Sequence, residues 1–598
     1  MKLLSGMRPL FVAALLVPLL LLPLNEGATI YSQTTGQLPT RIQVDDTPAD
    51  ITVIGGVGRV VGTGDFNGDG IQDFLIEYTK IEGDVQEIVF LNFGIIFGKR
   101  NQTRKVTINL STDEPDLSLT TSIKGIFGIS TIAKLGDLNG DGIDDLVLTQ
   151  QLPGTTGSPR PFVFKIFFGS SRFHPGVIDL DSFQPDLKII SDNRAYTTGI
   201  AGVGDVNGDR VNDLLLTENG NYISFALPVL LGPFKAGATI DLNSQQPDAI
   251  IKANNRIDNI NSVLLADVNG DHLTDMLIKK SRFDSRIGIY FTTLDVVFGS
   301  PDLRSGVEIS LSDGQADATI VAGFAGFGFS VIATGDVNGD GIDDILIGNP
   351  TFYGEPGPPP WFSGSVSIVL GFRSMRGTVN QSDALISGLP PPNPFQPLYQ
   401  TTLGDHLGES LAVRDINGDG VPDILIGAPG LTRDETGRVE YLSRAHVILG
   451  STDIKRGALI QTARCQQDIT ISFDSKTGGV GSRIDSGDFN GDGVSDILVG
   501  SNSAVYVFFG GPLKPPEITT ARYRTASSEL TIVGTDLTGS ARVEVNGVVV
   551  DRDVRFEPDS GKLVLRAEPS ELSLHDGKNQ VAVIRKGARS NTIKLKFR

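Results

Sequence analysis

The stretch GDFNGDGIQDFLI at residues 64–76 decides the fold, because it returns six more times along the chain. The other copies are GDLNGDGIDDLVL at 136–148, GDVNGDRVNDLLL at 204–216, ADVNGDHLTDMLI at 266–278, GDVNGDGIDDILI at 335–347, RDINGDGVPDILI at 414–426 and GDFNGDGVSDILV at 487–499. Their first aspartates are 72, 68, 62, 69, 79 and 73 residues apart. That period is too long for a helical-hairpin solenoid and suits a four-stranded unit with generous loops. Each copy ends in a short, continuous apolar run, the pattern of a strand buried on both faces.

Two further elements recur. An apolar run closing on glycine follows each loop, ending at Gly98, Gly169, Gly232, Gly299, Gly371, Gly450 and Gly510. Six of these are followed by a turn, an aspartate and an apolar strand, as in INLSTDEPDLSL at 108–119 and IDLDSFQPDLKI at 178–189, with looser forms QSDALI at 381–386 and QQDITI at 466–471. The seventh such element lies at the other end, as IQVDDTPADITVI at 42–54. Seven units of this kind, set radially, predict an all-β, seven-bladed β-propeller over residues 29–511, its last blade completed by the N-terminal strand, which removes two exposed sheet edges.

The loop itself carries the chemistry. Position 1 is Asp65, Asp137, Asp205, Asp267, Asp336, Asp415 and Asp488; position 3 is Asn67, Asn139, Asn207, Asn269, Asn338, Asn417 and Asn490. Position 5 is Asp69, Asp141, Asp209, Asp271, Asp340, Asp419 and Asp492; position 9 is Asp73, Asp145, Asp213, Asp275, Asp344, Asp423 and Asp496. Alternate residues of a tight turn aim their oxygens at one centre, and the position-7 carbonyl of Ile71, Ile143, Val211, Leu273, Ile342, Val421 or Val494 completes a shell of the kind calcium takes. An EF-hand is excluded, since position 12 is apolar in every copy. A metal-free Asp/Asn/Gly turn explains one loop, but three unscreened carboxylates in each of seven would repel one another. Up to seven calcium ions would bring the formal charge of −19 to about −5. Position 6 is glycine in five loops but Arg210 and His272 in the third and fourth, whose sites are expected to hold calcium more weakly.

The FG of Phe127-Gly128 and Phe327-Gly328, the acidic loops, and the GAP of Gly427-Ala428-Pro429 together resemble the FG-GAP repeat of integrin α chains and of many exported bacterial proteins. The resemblance spans roughly residues 40–511 and implies a calcium-binding propeller acting in adhesion. Beyond it, PLKPPEI at 512–518 reads as a linker. Residues 519–598, with alternating strands and an Asn-Gly turn, read as an Ig-like β-sandwich and resemble an IPT/TIG domain.

Residues 1–28 read as a signal peptide, with Lys2 and Arg8 before a fifteen-residue apolar run at 10–24. The other reading, an uncleaved anchor helix, is opposed by Pro18 and Pro23, so no transmembrane helix is expected in the mature chain. The single cysteine, Cys465, allows no internal disulfide, which favours a secreted, periplasmic or surface-exposed bacterial protein stapled by metal. The acidity argues against a nucleic-acid partner. An unknown extracellular protein or glycan is expected instead, on the face opposite the acidic loops. The candidates there are Phe352, Tyr353, Trp361, Phe362, Phe395 and Tyr399, in two long Pro-rich connections. The five histidines fall at unrelated phases of the repeat, and His446 in its apolar strand reads as a packed residue, so the protein reads as a non-catalytic binding module. The alternative is a calcium-dependent polysaccharide lyase or hydrolase on the same scaffold. A purely structural envelope protein is the third class.

Overall fold

The computed structural model describes residues 37–597 except 45–47, 81–89, 121–129, 152–161, 192–198, 218–225, 254–257, 285–288, 312–313, 322–330, 351–362, 380–381, 389–403, 434–438, 442, 474–478, 502, 551, 553 and 587. The signal-peptide stretch and all six aromatic ligand candidates lie outside the described residues. Residues 36–598 form one compact unit. Among the described residues no helix is long and apolar enough to cross a membrane.

Each acidic loop joins the first two strands of a sheet. In the first sheet, Val57–Gly64 pairs with Asp73–Lys80, then Phe90–Ile96 and Leu117–Thr120 follow antiparallel. A fifth strand, Gly176–Asp179, adds in parallel to the outer edge, and it comes from the next repeat. Six further sheets before residue 512 repeat this order. The four-stranded unit expected from sequence is therefore corrected to five. The stretch at 108–119, read as one strand with its turn, serves two sheets: Val106–Asn109 edges one and Leu117–Thr120 belongs to the next. Covering the outer edge in this way hides backbone groups that a four-stranded sheet would leave open.

The sheets follow one another in a closed cycle. The second strands are buried on both faces: in the first, Phe74, Leu75 and Ile76 are fully covered. Leu75 packs toward the second sheet with Leu146 and Leu148, whereas Phe74 and Ile76 pack toward the seventh with Leu498 and Val505. Among the described residues there are seven such intersheet cores, the last joining the seventh sheet to the first. The innermost strands make the same circuit, and Val57–Gly64 lies against Arg483–Gly487. Radial sheets around a common centre are the layout of a β-propeller.

Closure is made by the N-terminal segment, as the sequence pattern suggests. Ile51–Ile54 pairs antiparallel with Ala504–Phe508, from Ile51 opposite Val507 to Ile54 opposite Ala504. Arg41–Gln43 adds in parallel to Ile469–Ser472 as the fifth strand of the sixth sheet. A side-chain bond repeats across all sheets and marks the join. The aspartate before each fourth strand accepts the N–H of the residue that precedes the run-ending glycine, as Asp116 does from Phe97 and Asp186 from Phe168. In the seventh sheet the aspartate is Asp50, which accepts from Phe509 at 2.9 Å across 459 residues of sequence.

Residues 517–597 form two sheets of their own. The strands Glu517–Arg524, Glu529–Thr535, Lys562–Arg566 and Arg555–Glu557 make one; Arg542–Val545, Gly577–Arg585 and Ile593–Phe597 are the main strands of the other. Both point alternate side chains into a single core that includes Leu530, Ile532, Val543, Leu563 and Val583. The segment before it does not hang free: Leu513 bridges Leu38, and the buried Arg585 donates to the carbonyls of Lys514 and Asp536. This sandwich rests on the sixth sheet through Ser540 Oγ to Asp468 Oδ1 at 3.1 Å and Lys586 Nζ to the Leu449 carbonyl at 3.0 Å.

Candidate functional site: seven acidic loops

The loops fold alike to the level of individual bonds. In the first, Asp65 Oδ1 accepts from Gly68 N and Asp69 N, and Oδ2 from Gly70 N, at 2.8 to 3.2 Å. Asn67 Oδ1 accepts from Asp69 N at 2.8 Å, and Asp69 Oδ1 from Ile71 N at 2.9 Å. The third loop keeps every one of these bonds, with Arg210 N on Asp205 Oδ2 at 2.8 Å. So does the fourth, with His272 N on Asp267 Oδ2 at 2.8 Å. Short polar side chains that bond backbone a few residues on are what wind this turn.

Position 9 has a role that spacing alone does not reveal. Asp73 is fully buried; its Oδ2 accepts from Phe66 N and its Oδ1 from Gly98 N, both at 3.0 Å. The same pair of bonds holds Asp145, Asp213, Asp275, Asp344, Asp423 and Asp496. Each of these carboxylates ties its loop to the end of the third strand. The glycine closing that strand follows from the same geometry, because a Cβ on Gly98 would lie 2.4 Å from the Gln72 carbonyl, and one on Gly510 2.1 Å from that of Ser495. No other residue fits where the loop backbone passes so close.

Neighbouring loops are also linked. At five of the seven joins the position-8 N–H of one loop donates to the position-1 carbonyl of the loop before it, as Asp144 does to Asp65 at 2.8 Å, and Gln72 to Asp488 at 2.9 Å where the ring closes. At a sixth the Asn212 side-chain amide donates to the Asp137 carbonyl instead, and Pro422 has no N–H to give. These links, with the strand order common to all seven sheets, set the loops side by side at one end of the ring.

The electrostatics call for a cation. Burial, with added repulsion from positions 5 and 1, pushes the position-9 carboxyls up despite their two backbone bonds. Asp73, Asp423 and Asp496 reach about 8, Asp145, Asp275 and Asp344 about 7, and Asp213 about 6. Among the described residues no lysine or arginine pairs with positions 1, 5 or 9, and the one nearby imidazole is His272, 3.7 Å from Asp267. Nor do the described residues bring three carboxylate, imidazole or thiolate groups together at metal-holding distances. The three carboxylates do not simply converge, as sequence spacing suggests: the position-9 group is turned to its two backbone donors. A calcium shell would draw on positions 1 and 5, the position-3 amide oxygen and the position-7 carbonyl, with position 9 sharing a remaining lone pair. Oxygen donors alone, already wound into place by backbone bonds, fit that hard cation.

Arg210 and His272 keep the glycine turn at φ of 67° and 69°, close to the 78° of Gly70. A Cβ at Gly70 would meet nothing within 4 Å, so the side chain is not crowded and only the backbone is strained. Arg210→Gly and His272→Gly are each expected to stabilise the protein by roughly 1 kcal/mol in chelator. A denaturant midpoint that fails to rise would show that those turns carry no such strain.

His446, the histidine in the sixth sheet, is buried with Nδ1 3.2 Å from Thr470 Oγ1. Burial, then Arg444, pushes it down to about 3, which keeps the imidazole neutral.

Comparison with known proteins agrees with this architecture. Residues 327–369, 407–439 and 480–508 match the FG-GAP repeat. The chain is 28% identical over 233 residues to integrin alpha-PS2 of Drosophila melanogaster, covering 36% of this chain and 14% of that one. It is 26% identical over 277 residues to phosphatidylinositol-glycan-specific phospholipase D of Dictyostelium discoideum, covering 43% of this chain and 29% of that one. The chain thus spans less than a third of the length of either relative. The solved Dos1 propeller aligns with 87% of this chain and 97% of its own at 10% identity, with a TM-score of 0.28, too low to argue from.

Proposed function

We propose that this chain is a seven-bladed, calcium-loaded FG-GAP propeller carrying an Ig-like, IPT/TIG-like domain, and that it works outside the cell as a non-catalytic binding or adhesion module. The observation that carries the reading is the seven-fold recurrence of the acidic loop, each copy wound by its own donors and, among the described residues, left without a lysine or arginine partner. By the sequence reading, the long connections between second and third strands and between repeats share the face opposite the loops. Those connections differ from repeat to repeat, and two hold Phe352, Tyr353, Trp361, Phe362, Phe395 and Tyr399. Likeness to an integrin α chain supports a protein or glycan partner at that end. The metal sites are the residues at positions 1, 3, 5, 7 and 9, with calcium the cation.

Removing calcium is expected to lower the melting midpoint by at least about 5 °C, since each filled site stabilises the folded state alone. Equal midpoints in calcium and in EGTA would overturn the metal assignment. A glycan and protein array probed with and without EGTA tests the binding role. Likeness to a phospholipase D supports the second reading, a calcium-dependent hydrolase or lyase. Product released from a phosphatidylinositol-glycan or a polysaccharide by the purified chain would establish it over the first.

A further inference from the structure

The C-terminal sandwich differs from the rest of the chain in charge. Residues 519–598 carry 14 Lys and Arg against 10 Asp and Glu, a net of +4 in a chain whose total is −19. Much of the excess lies on one surface, the outer face of the sheet built from Glu517–Arg524, Glu529–Thr535, Lys562–Arg566 and Arg555–Glu557. That face forms an open trough of about 620 Å³. Strand register sets its cations in rows. Arg522, Thr531, Val564 and Arg555 share one row; Arg524, Glu529 and Arg566 share the next. With strands about 4.8 Å apart, the arginines ending the first row stand roughly 14 Å apart and those ending the second roughly 10 Å apart. Arg566 is 3.5 Å from Glu529 and Arg555 3.9 Å from Glu557, whereas Arg522, Arg524 and Lys562 have no acidic partner among the described residues.

We propose that this trough binds an extended acidic polysaccharide, the guanidinium groups gripping carboxylates or sulfates spaced along the glycan. Guanidinium forks match such groups in a bidentate way. Spaced cations with Glu529 and Glu557 between them suit charges separated by neutral sugar surface. They do not suit a nucleic acid, which sets one phosphate per about 1.7 Å of duplex and would be repelled by those glutamates and by the remaining net charge of the chain. Among the described residues no aromatic side chain lines the trough, so a single strand would find no stacking platform. This site is separate from the propeller face and does not depend on the reading of that face.

Binding of polygalacturonate, dextran sulfate, neutral dextran and a 20-base-pair duplex DNA to the full chain would be measured by titration calorimetry from low to moderate salt. Both acidic polysaccharides should bind, neutral dextran should not, and the duplex should bind far more weakly. Arg522→Ala with Arg555→Ala should weaken polygalacturonate at least tenfold and make its affinity less salt-dependent. Lys578→Ala with Lys594→Ala removes the same charge from the other sheet and should change affinity less than twofold; unchanged melting curves confirm that both doubles fold. No binding of either acidic polysaccharide, equal loss in the two doubles, or tight binding of the duplex would each overturn the proposal. EGTA sensitivity is not expected here, so failure of the calcium reading and failure of this one are distinguishable.

Discussion

Truncating the chain to begin after Ile54 will unravel the seventh sheet, at the far end of the sequence, as well as the first. The strand Ile51–Ile54 gives Ala504–Phe508 its outer partner and is itself the partner of Val106–Asn109. Its loss strips both. Ile51 and Val53 are buried in the core that joins the seventh sheet to the first, beside Phe74, Ile76 and Val507. Losing two buried aliphatic side chains, the Asp50 bond to Phe509 and a full ladder of backbone bonds is expected to cost roughly 5 kcal/mol or more. Loss of Arg41–Gln43 also bares the edge of Ile469–Ser472. Hydrogen exchange gives the test: amides of Val505 and Val507 should lose at least about a hundredfold of protection, while Asp213–Thr217 in the third sheet keeps its own. Full protection at Val505 and Val507 in the truncated protein would mean that the ring holds without its N-terminal strand.

The position-9 aspartates should behave as clamps in addition to any part they take in holding calcium. Asp423→Ala leaves the N–H groups of Ile416 and Gly450 buried without acceptors, at a site with no solvent access. About 1 to 3 kcal/mol for each abandoned donor gives an expected loss near 4 kcal/mol. Asp423→Asn keeps one carbonyl oxygen and should lose about half as much. Measuring denaturant midpoints in EGTA separates the two roles. A residue that served calcium alone would lose nothing in chelator, so equal midpoints for wild type and Asp423→Ala under EGTA would reject the clamp.

The loops, the buried second strands and the N-terminal closure were legible in sequence because each is local or repeats in register. Seven copies of one turn leave little doubt about which residues wind it. The fifth strands were not legible. Nothing in the composition of Val106–Asn109 says that it edges a sheet other than the one that Leu117–Thr120 joins; that follows only once the ring brings neighbouring repeats together. The double bonding of position 9 was hidden for a similar reason. Spacing marks Asp73 as a loop oxygen, but its second donor, Gly98, comes from the end of the third strand. Conversely, the run-ending glycines were visible as a pattern whose cause, the passing position-8 carbonyl, is purely three-dimensional.

The bond between Asp50 and Phe509 also sets a clock. Its partners are separated by 459 residues, so at a synthesis rate of about 5 to 20 residues per second the closing strand waits roughly half a minute or longer for its sheet to exist. During that time ITVI is a β-prone apolar segment with one edge open even once Val106–Asn109 is available to pair with it, the kind that seeks any open edge. Its upstream neighbours are suited to the delay: Asp45, Asp46 and Asp50 repel a wrong partner, and Pro48 interrupts any ladder trying to grow through them. The short acidic preface to the strand thus acts as a gatekeeper for a ring whose two ends meet last.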